Sequence, residues 1–592
     1  MCGLAGLMMR GSVPPDSRIL DDFEAALAHR GPDGTGRHVV GPSALTHTRL
    51  AIIDLATGDQ PIKDPTSGRS LVANGEIYNF VELRDDMGQS RFATNSDCEP
   101  PLLLIGERGS AFAEPLRGMY AIAACEANGE RLYLARDPFG IKPLYYHEDA
   151  SGIAFASEPR AFFAAGRLSP EIVPGKVDEL MQLQFTTGAQ TIYGGVRRVL
   201  PGETLVIEGG RIIENRRIDA LPRGAPIHTS EDEALEALDA ALMDSVAVHQ
   251  RSDVPYGMFL SGGIDSSAIL ACMRELNDRP VEAFTVGFSG TKVPDERALA
   301  ERVAKAADAH FHAVDFSESD FWSLLPKIAD ALDDPVADYA MLPTYKLGEF
   351  VKTGGLKVVL SGEGGDELFA GYGRYRRALR PWWLGGRAMR NKGTMDGLDL
   401  LRAPPAQWRD GMAAAEHEAA TSERSRLQAA QAADCADWLP NDLLTKLDRC
   451  LMAHGVEGRT PMLDNRVAAV AMRLPDDFKV RNGQGKYLLR RWLVQRLPEA
   501  EPFSKKRGFT VPVAEWIGAR GRAIGAMVAQ QEGIETVCKP DRVRDLFASL
   551  ETAPDGRKGQ AAWTLLFYAL WHRRHIEGRT LDGDAFEALS GT

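Results

Sequence analysis

Residues 259–270 read FLSGGIDSSAIL, and the passage from apolar strand to helix inside this stretch decides the fold of the second half of the chain. The apolar run ends at Leu260. After Ser261, Gly262 and Gly263 let the backbone turn tightly and approach a ligand closely. Asp265, Ser266 and Ser267 then open a helix, whose unpaired N–H groups and positive dipole end would face that ligand. The junction is therefore built for an anion. It is not a Walker A loop, because GxxxxGK[ST] is absent. GQGKY at 483–487 has Val480 where the first glycine belongs and Tyr487 where Ser or Thr belongs, and reads as a decoy.

A second junction, VVLSGEGGDELFAGY at 358–372, again closes an apolar strand with Ser-Gly and adds Glu363, Asp366 and Glu367. In an open parallel sheet ligands sit outside the carboxyl ends of the strands, so both loops would converge on one crevice. Asp265 and Asp366 could there share Mg²⁺ with nucleotide phosphates, since that cation prefers carboxylate and phosphate oxygens.

The surrounding text supports such a sheet. Helix EDEALEALDAALMDSVAVH precedes strand VPYGMFL, helix SSAILACMREL, strand VEAFTVGF, helix DERALAERVAKAAD, strand HFHAVDF and later LKVVL, and from about residue 375 the pattern is mainly helical. Residues 1–215 have a different texture, short alternating apolar runs such as SLVANGEIYN, MYAIAAC and RLYLARD, which fits a β-rich layered domain with a few helices. Between the two lies a polar, Pro-bearing linker, 216–229, ending at a helix N-cap on Thr229 or Ser230. The second domain then covers 230–592.

Composition excludes several classes. The chain has 592 residues, 69 Lys+Arg against 82 Asp+Glu and a net charge of -13, without the basic surplus that nucleic-acid binding requires. No apolar run approaches a membrane span, and the start is too short for a signal peptide, so the expected location is the cytoplasm. The 7 cysteines show no CxxC pair and no zinc-type spacing. Only Cys2, in MCGLAGLMMR, has a telling position. Removal of Met1 would leave it with a thiol, ordinarily of pKa about 8.5, and an α-amino group titrating near ~7.7–8.0, so one residue could carry both nucleophile and base.

SGGIDSS resembles the signature loop of the ATP pyrophosphatase superfamily, and SGEGGDE the second loop of its asparagine-synthetase branch. MCG, RGPDG (30–34), LVANGEIYN, SDCE (96–99), LRGMYA and RDPFGIKPLYY together resemble the class II glutamine amidotransferases, a branch of the N-terminal-nucleophile hydrolases. Over nearly its full length the chain resembles the glutamine-hydrolysing asparagine synthetases. That resemblance implies a two-domain α/β and α+β protein. An αββα N-terminal-nucleophile fold would be followed by a doubly wound parallel-sheet ATP pyrophosphatase fold with added helices.

By the same resemblance Cys2 would attack glutamine, with Asn74 and the Gly75 amide holding the oxyanion. Arg49 would face the α-carboxylate, Glu76 and Asp97 the α-ammonium, and Ile53 would border the substrate. Arg30 and the Pro32–Asp33 turn would shape the pocket. Ser261, Gly262, Gly263, Asp265 and Ser266 would hold the pyrophosphate portion of ATP, and Leu260, Val286, Ser361 and Gly362 would border the adenosine. Asp265 and Asp366 would hold Mg²⁺. Glu363 would serve the acyl-adenylate, and a lysine in FSKKRGFTVP, Lys505 or Lys506 with Lys506 preferred, would meet charge at the α-phosphate.

The implied partners are L-glutamine, ATP and a carboxylate acceptor, with no nucleic acid and no membrane; a homodimer is left open. The acceptor is L-aspartate by the resemblance. However, where well-known members carry threonines and an arginine before Pro-x-Tyr, this chain reads DDPVADYAMLPTYKL (333–347), with Tyr339 near the arginine position. Arg374 or Arg459 could supply the charge. The alternative is the same chemistry on another carboxylate, such as a cell-wall or polysaccharide precursor. A glutamine-independent adenylating cyclase related to β-lactam synthetases would share the second domain but lack Cys2.

Overall fold

The structure is a computed structural model, and it describes residues 2–11, 13–380, 383, 389–504 and 510–591. The amino-terminal half contains two six-stranded antiparallel sheets. In the first the order is Val196–Arg198, Tyr145–Asp149, Gly152–Ala156, Gly3–Met9, Ser43–Arg49 and Gly34–Val40. In the second it is Arg211–Arg217, Glu203–Glu208, Arg131–Arg136, Gly118–Cys125, Ser70–Ile77 and Ile62–Lys63.

Period-two alternation sends successive side chains to opposite faces of a strand, and here both faces are covered. Leu4 and Met8 of the first strand meet Val72, Ala121 and Leu134 between the sheets. Ala5 and Leu7 turn outward onto Leu20, Phe23 and Leu27 of helix Arg18–Leu27. On the outer face of the second sheet Leu71 and Ala73 pack on Leu102, Leu104 and Ile105 of helix Pro100–Arg108. The result is an αββα sandwich.

The carboxy-terminal half is built on a parallel sheet of five strands in the order His310–Phe316, Glu282–Phe288, Tyr256–Phe259, Val358–Leu360 and Glu457–Arg459. Strands Glu282–Phe288 and Val358–Leu360 inside it read as apolar runs because both their faces are covered. Helix Ile264–Leu276 follows the central strand, and the chain ends in helices grouped around Gly556–His575. Helix Glu231–His249 opens this half on a capping box. The Ser230 hydroxyl accepts from the Glu233 amide at 3.2 Å, and the Glu233 carboxylate accepts from the Ser230 amide at 2.9 Å. Beyond residue 375 the chain is mainly helical, as expected, but it also supplies the fifth strand, which the sequence did not announce. The three residues of Glu457–Arg459, all buried, are too few to show a period.

Buried ion pairs fix the two halves on each other. Arg30 holds Asp448 of helix Thr445–Met452 at 2.8 and 3.0 Å, and Arg117 holds Asp464 at 2.7 Å. Leu50 and Ile52 pack with Val358 and Met452 in an apolar patch shared by both halves. No helix among the described residues is long and apolar enough to cross a membrane.

Candidate functional site

Two sites emerge, one in each half. In the first, Cys2 precedes strand Gly3–Met9 while Asn74 lies on strand Ser70–Ile77 of the facing sheet, so the sandwich itself brings them together. The Cys2 backbone nitrogen donates to Asn74 Oδ1 at 3.0 Å, and the thiol points at the Leu50 carbonyl at 3.9 Å. With Oδ1 engaged, Asn74 Nδ2 is a buried donor with no hydrogen-bond partner. An orphaned amide beside a thiol is what a developing oxyanion would use. Burial pushes the Cys2 thiol up, so it rests neutral and needs a base. The next residue must be glycine, because a Cβ at Gly75 would stand 2.0 Å from the Met119 carbonyl oxygen.

Around this pair stand the groups expected to hold an amino acid. The Arg49 guanidinium reaches Asp59 at 2.6 Å and the Asp54 and Ile53 carbonyls at 2.6 and 3.5 Å, which places Ile53 beside it. Asp97 accepts from the Ile77 amide at 2.8 Å, and burial raises its pKa to about 6. Glu76 is raised well above the usual carboxylate range, by burial first and then by Glu457. Arg30 donates to the Cys2 carbonyl at 3.1 Å and pairs with Glu158 at 2.7 Å.

In the second half the two Gly-rich loops touch. A Cβ at Gly362 would stand 3.0 Å from Asp265 Cβ, and one at Gly365 would stand 2.4 Å from Asp265 Cγ. Gly262 adopts φ +67 against Leu299, and the Ser261 and Ser266 hydroxyls lie 3.1 Å apart at the start of the helix. The loops open on a cavity of about 590 Å³ whose lining includes Leu260, Val286, Ser361, Glu363 and Asp366. Ser361 donates its hydroxyl to Glu363. Among the described residues, none lining this cavity comes from the amino-terminal half, so Cys2 and the Asp265 crevice are separate sites.

GQGKY forms no Walker loop, but it carries a site residue that the sequence reading did not single out. Lys486 follows a short hairpin, not a Walker loop, and its ammonium lies between the carboxylates of Asp265 and Asp366, 2.7 Å from the latter. Burial opposes its charge, but the two carboxylates raise its pKa. Two carboxylates turned onto one cation, on a glycine floor, are also oxygen ligands of the kind that Mg²⁺ takes beside phosphate oxygens. Template matching missed Lys486 because the approach to Asp265 is tertiary. Lys505 and Lys506 lie outside the described residues.

Of the two arginines considered for the acceptor, Arg374 lines the cavity, pairing with Asp434 at 2.7 Å and lying 3.9 and 4.1 Å above the rings of Tyr372 and Trp438. Arg459 is corrected. It is fully buried, away from the cavity, with its guanidinium on Glu457 and Glu76. A cation that sequence reasoning missed, Lys446, stands in the cavity on Asp338 at 2.9 Å, beside Tyr339.

Comparison with known proteins fits this division. Residues 1–217 match the glutamine amidotransferase domain family model and residues 237–573 match the asparagine synthase model. The asparagine synthetase [glutamine-hydrolyzing] 1 of Bacillus subtilis (strain 168) is 31% identical, with 98% of each chain covered. A putative asparagine synthetase of Mycobacterium bovis is 32% identical over 98% of each chain. Asparagine synthetase B of Escherichia coli (strain K12) is 30% identical over 86% of this chain and 82% of its own. The chain belongs to the asparagine synthase family, as a glutamine-hydrolysing ligase with an amino-terminal amidotransferase domain.

Proposed function

We propose that residues 1–215 hydrolyse glutamine and that residues 230–592, joined to them by 216–229, adenylate L-aspartate with ATP and aminate it to L-asparagine. The observation that carries the reading is the buried thiol of Cys2 beside the orphaned Asn74 donor.

With Met1 removed, the α-amino group of Cys2 takes the thiol proton, and the sulfur attacks the carboxamide carbon of glutamine. Asn74 Nδ2 and the Gly75 amide receive the oxyanion, and the proton passes to the departing ammonia. Water then cleaves the thioester to glutamate. Arg49 holds the α-carboxylate, while Glu76, Asp97 and the Ile53 carbonyl surround the α-ammonium. Replacing Asn74 by alanine should lower kcat for glutamine by about 10²–10³-fold with little change in KM, measured as glutamate release.

In the second half an aspartate carboxylate oxygen attacks the α-phosphorus of ATP and pyrophosphate leaves. Ser261, Gly262, Gly263, Ser266 and Lys486 take the pyrophosphate oxygens, while Leu260, Val286, Ser361 and Gly362 border the adenosine. Asp265 and Asp366 would hold Mg²⁺, which when bound neutralises phosphate charge. A lysine of FSKKRGFTVP, Lys505 or preferably Lys506, would meet charge at the α-phosphate. Ammonia attacks the acyl carbon, Glu363 takes a proton, and AMP leaves. The apolar patch of Leu50, Ile52, Val358 and Met452 supports delivery of ammonia inside the protein. Arg374 and Lys446 offer the cations that the α-carboxylate of an amino-acid acceptor needs. The seven free thiols fit a reducing cytoplasm.

The test is to follow pyrophosphate and glutamate while carboxylates are offered in turn, L-aspartate first. Pyrophosphate and asparagine formed together from aspartate support the assignment. Pyrophosphate released with another carboxylate and not with aspartate would move the acceptor to that compound.

A further inference from the structure

Arg459 belongs to the last strand of the parallel sheet, yet it touches both sites. Its Nε donates to Glu457 Oε1 at 2.6 Å, and its Nη1 donates to the carbonyls of His249 and Arg251 at 2.8 and 2.7 Å. Nη2 lies 3.3 Å from Glu76 Oε2 in the amino-terminal half. Both of these atoms are buried, and neither makes a hydrogen bond. The backbone of the same residue faces the other way. The Arg459 carbonyl accepts from the Ser361 amide at 2.8 Å, and Ser361 is the first residue of the second Gly-rich loop.

We propose that Arg459 is a positioning residue of the glutamine site supplied by the synthetase half. Its guanidinium holds Glu76 as the carboxylate that receives the α-ammonium of glutamine, while its main chain anchors the loop beginning at Ser361. This rests on the reading that Glu76 binds that ammonium. It gives the glutaminase a wall that its own domain does not contain, and it makes one three-residue strand a reference for the geometry of both sites.

The charges around Glu76 make the idea decidable. Burial raises its pKa first; Glu457 and Asp97 raise it further, and Arg459 and the amino-terminal charge lower it. Tyr78 and Cys98, also adjacent, are themselves pushed up by burial and stay neutral. Glu457 is held well below its ordinary value, against burial, by the amino-terminal charge, Arg459 and Lys142, and so stays anionic. Glu457 and Arg459 therefore act on Glu76 with opposite sign. A glutamate raised by burial must be ionised to pair with an ammonium, so glutamine binding should weaken as pH falls through its pKa.

The experiment measures glutamine affinity by calorimetry from about pH 5 to 8 in the full-length Cys2→Ala protein, which binds without turnover. Adding Arg459→Gln should move the pH of half-maximal affinity upward by about one to three units, the usual effect of one opposite charge. Glu457→Gln should move it downward, and Arg459→Lys should restore the parent profile. A purely structural role would lower glutamine affinity in both variants without opposed pH shifts.

Profiles unmoved in Arg459→Gln and Glu457→Gln, or moved in the same direction, would overturn the proposal. Should Arg459→Gln fail to fold, Glu457→Gln decides alone, a downward shift supporting the proposal and no shift overturning it. Glu76→Gln separates the two levels. Unchanged glutamine affinity in that variant removes the reading of Glu76 itself, whereas weakened affinity with unmoved Arg459 and Glu457 profiles removes only the positioning role.

Discussion

Cys2→Ala should abolish glutamine as a nitrogen source, lowering glutamate release by on the order of 10⁶-fold, the scale seen when a hydrolase loses its nucleophile. Product formation driven by added ammonium should persist. No other thiol can stand in. Cys98, the nearest candidate in sequence to the site residues, is buried on Asp97 and the Gly75 carbonyl, and burial pushes its thiol well above the usual range. Among the described residues the synthetase cavity is lined by none from the amino-terminal half, so removing the sulfur leaves that lining intact. Parallel assays of glutamate and pyrophosphate, with glutamine and then with ammonium chloride, check both statements. Loss of the ammonium-driven reaction would refute the division of labour.

Asp366→Asn should have the complementary phenotype. Pyrophosphate release should fall by roughly 10³-fold with either nitrogen source, because the lost carboxylate is one that would hold the Mg²⁺ whose charge offsets the phosphates in the transition state. Glutamate release in the absence of acceptor should continue. Lys486→Met should give the same kinetic loss together with a stability defect, since it leaves Asp265 and Asp366 facing each other without their shared ammonium. Breaking a buried pair in this way costs about 3–5 kcal/mol, and thermal melting reads it directly. Added Mg²⁺ should restore part of the melting temperature in Lys486→Met and little in a Lys486→Met, Asp366→Asn double variant. Identical melting of the two with Mg²⁺ would argue against these carboxylates as a cation site.

Much of this was legible in the sequence where local physics dictates the structure. The change of period across FLSGGIDSSAIL announces a strand, a glycine turn and a helix, and the polar linker announces a cap at Thr229 or Ser230, which Ser230 forms together with Glu233. Asn74 was found because the motif LVANGEIYN places amide and glycine together. What escaped depends on packing between distant segments. Lys486 follows a hairpin of ordinary sequence, and only the fold carries its ammonium to Asp265, 221 positions away. Arg459 was sought at the acceptor because its charge, but not its direction, could be read. Its strand begins too close to its end to declare a periodicity.

That short strand has one more consequence. The final strand of an open sheet leaves a rim of bare amides and carbonyls on which foreign chains can grow. Here the ammonium of Lys142, from the other half, lies 3.4 Å from the Gly458 carbonyl and shields the rim at that point. A synthetase half released from its companion would carry that border into solution, so the packing of the two halves also covers an edge on which other chains could pair.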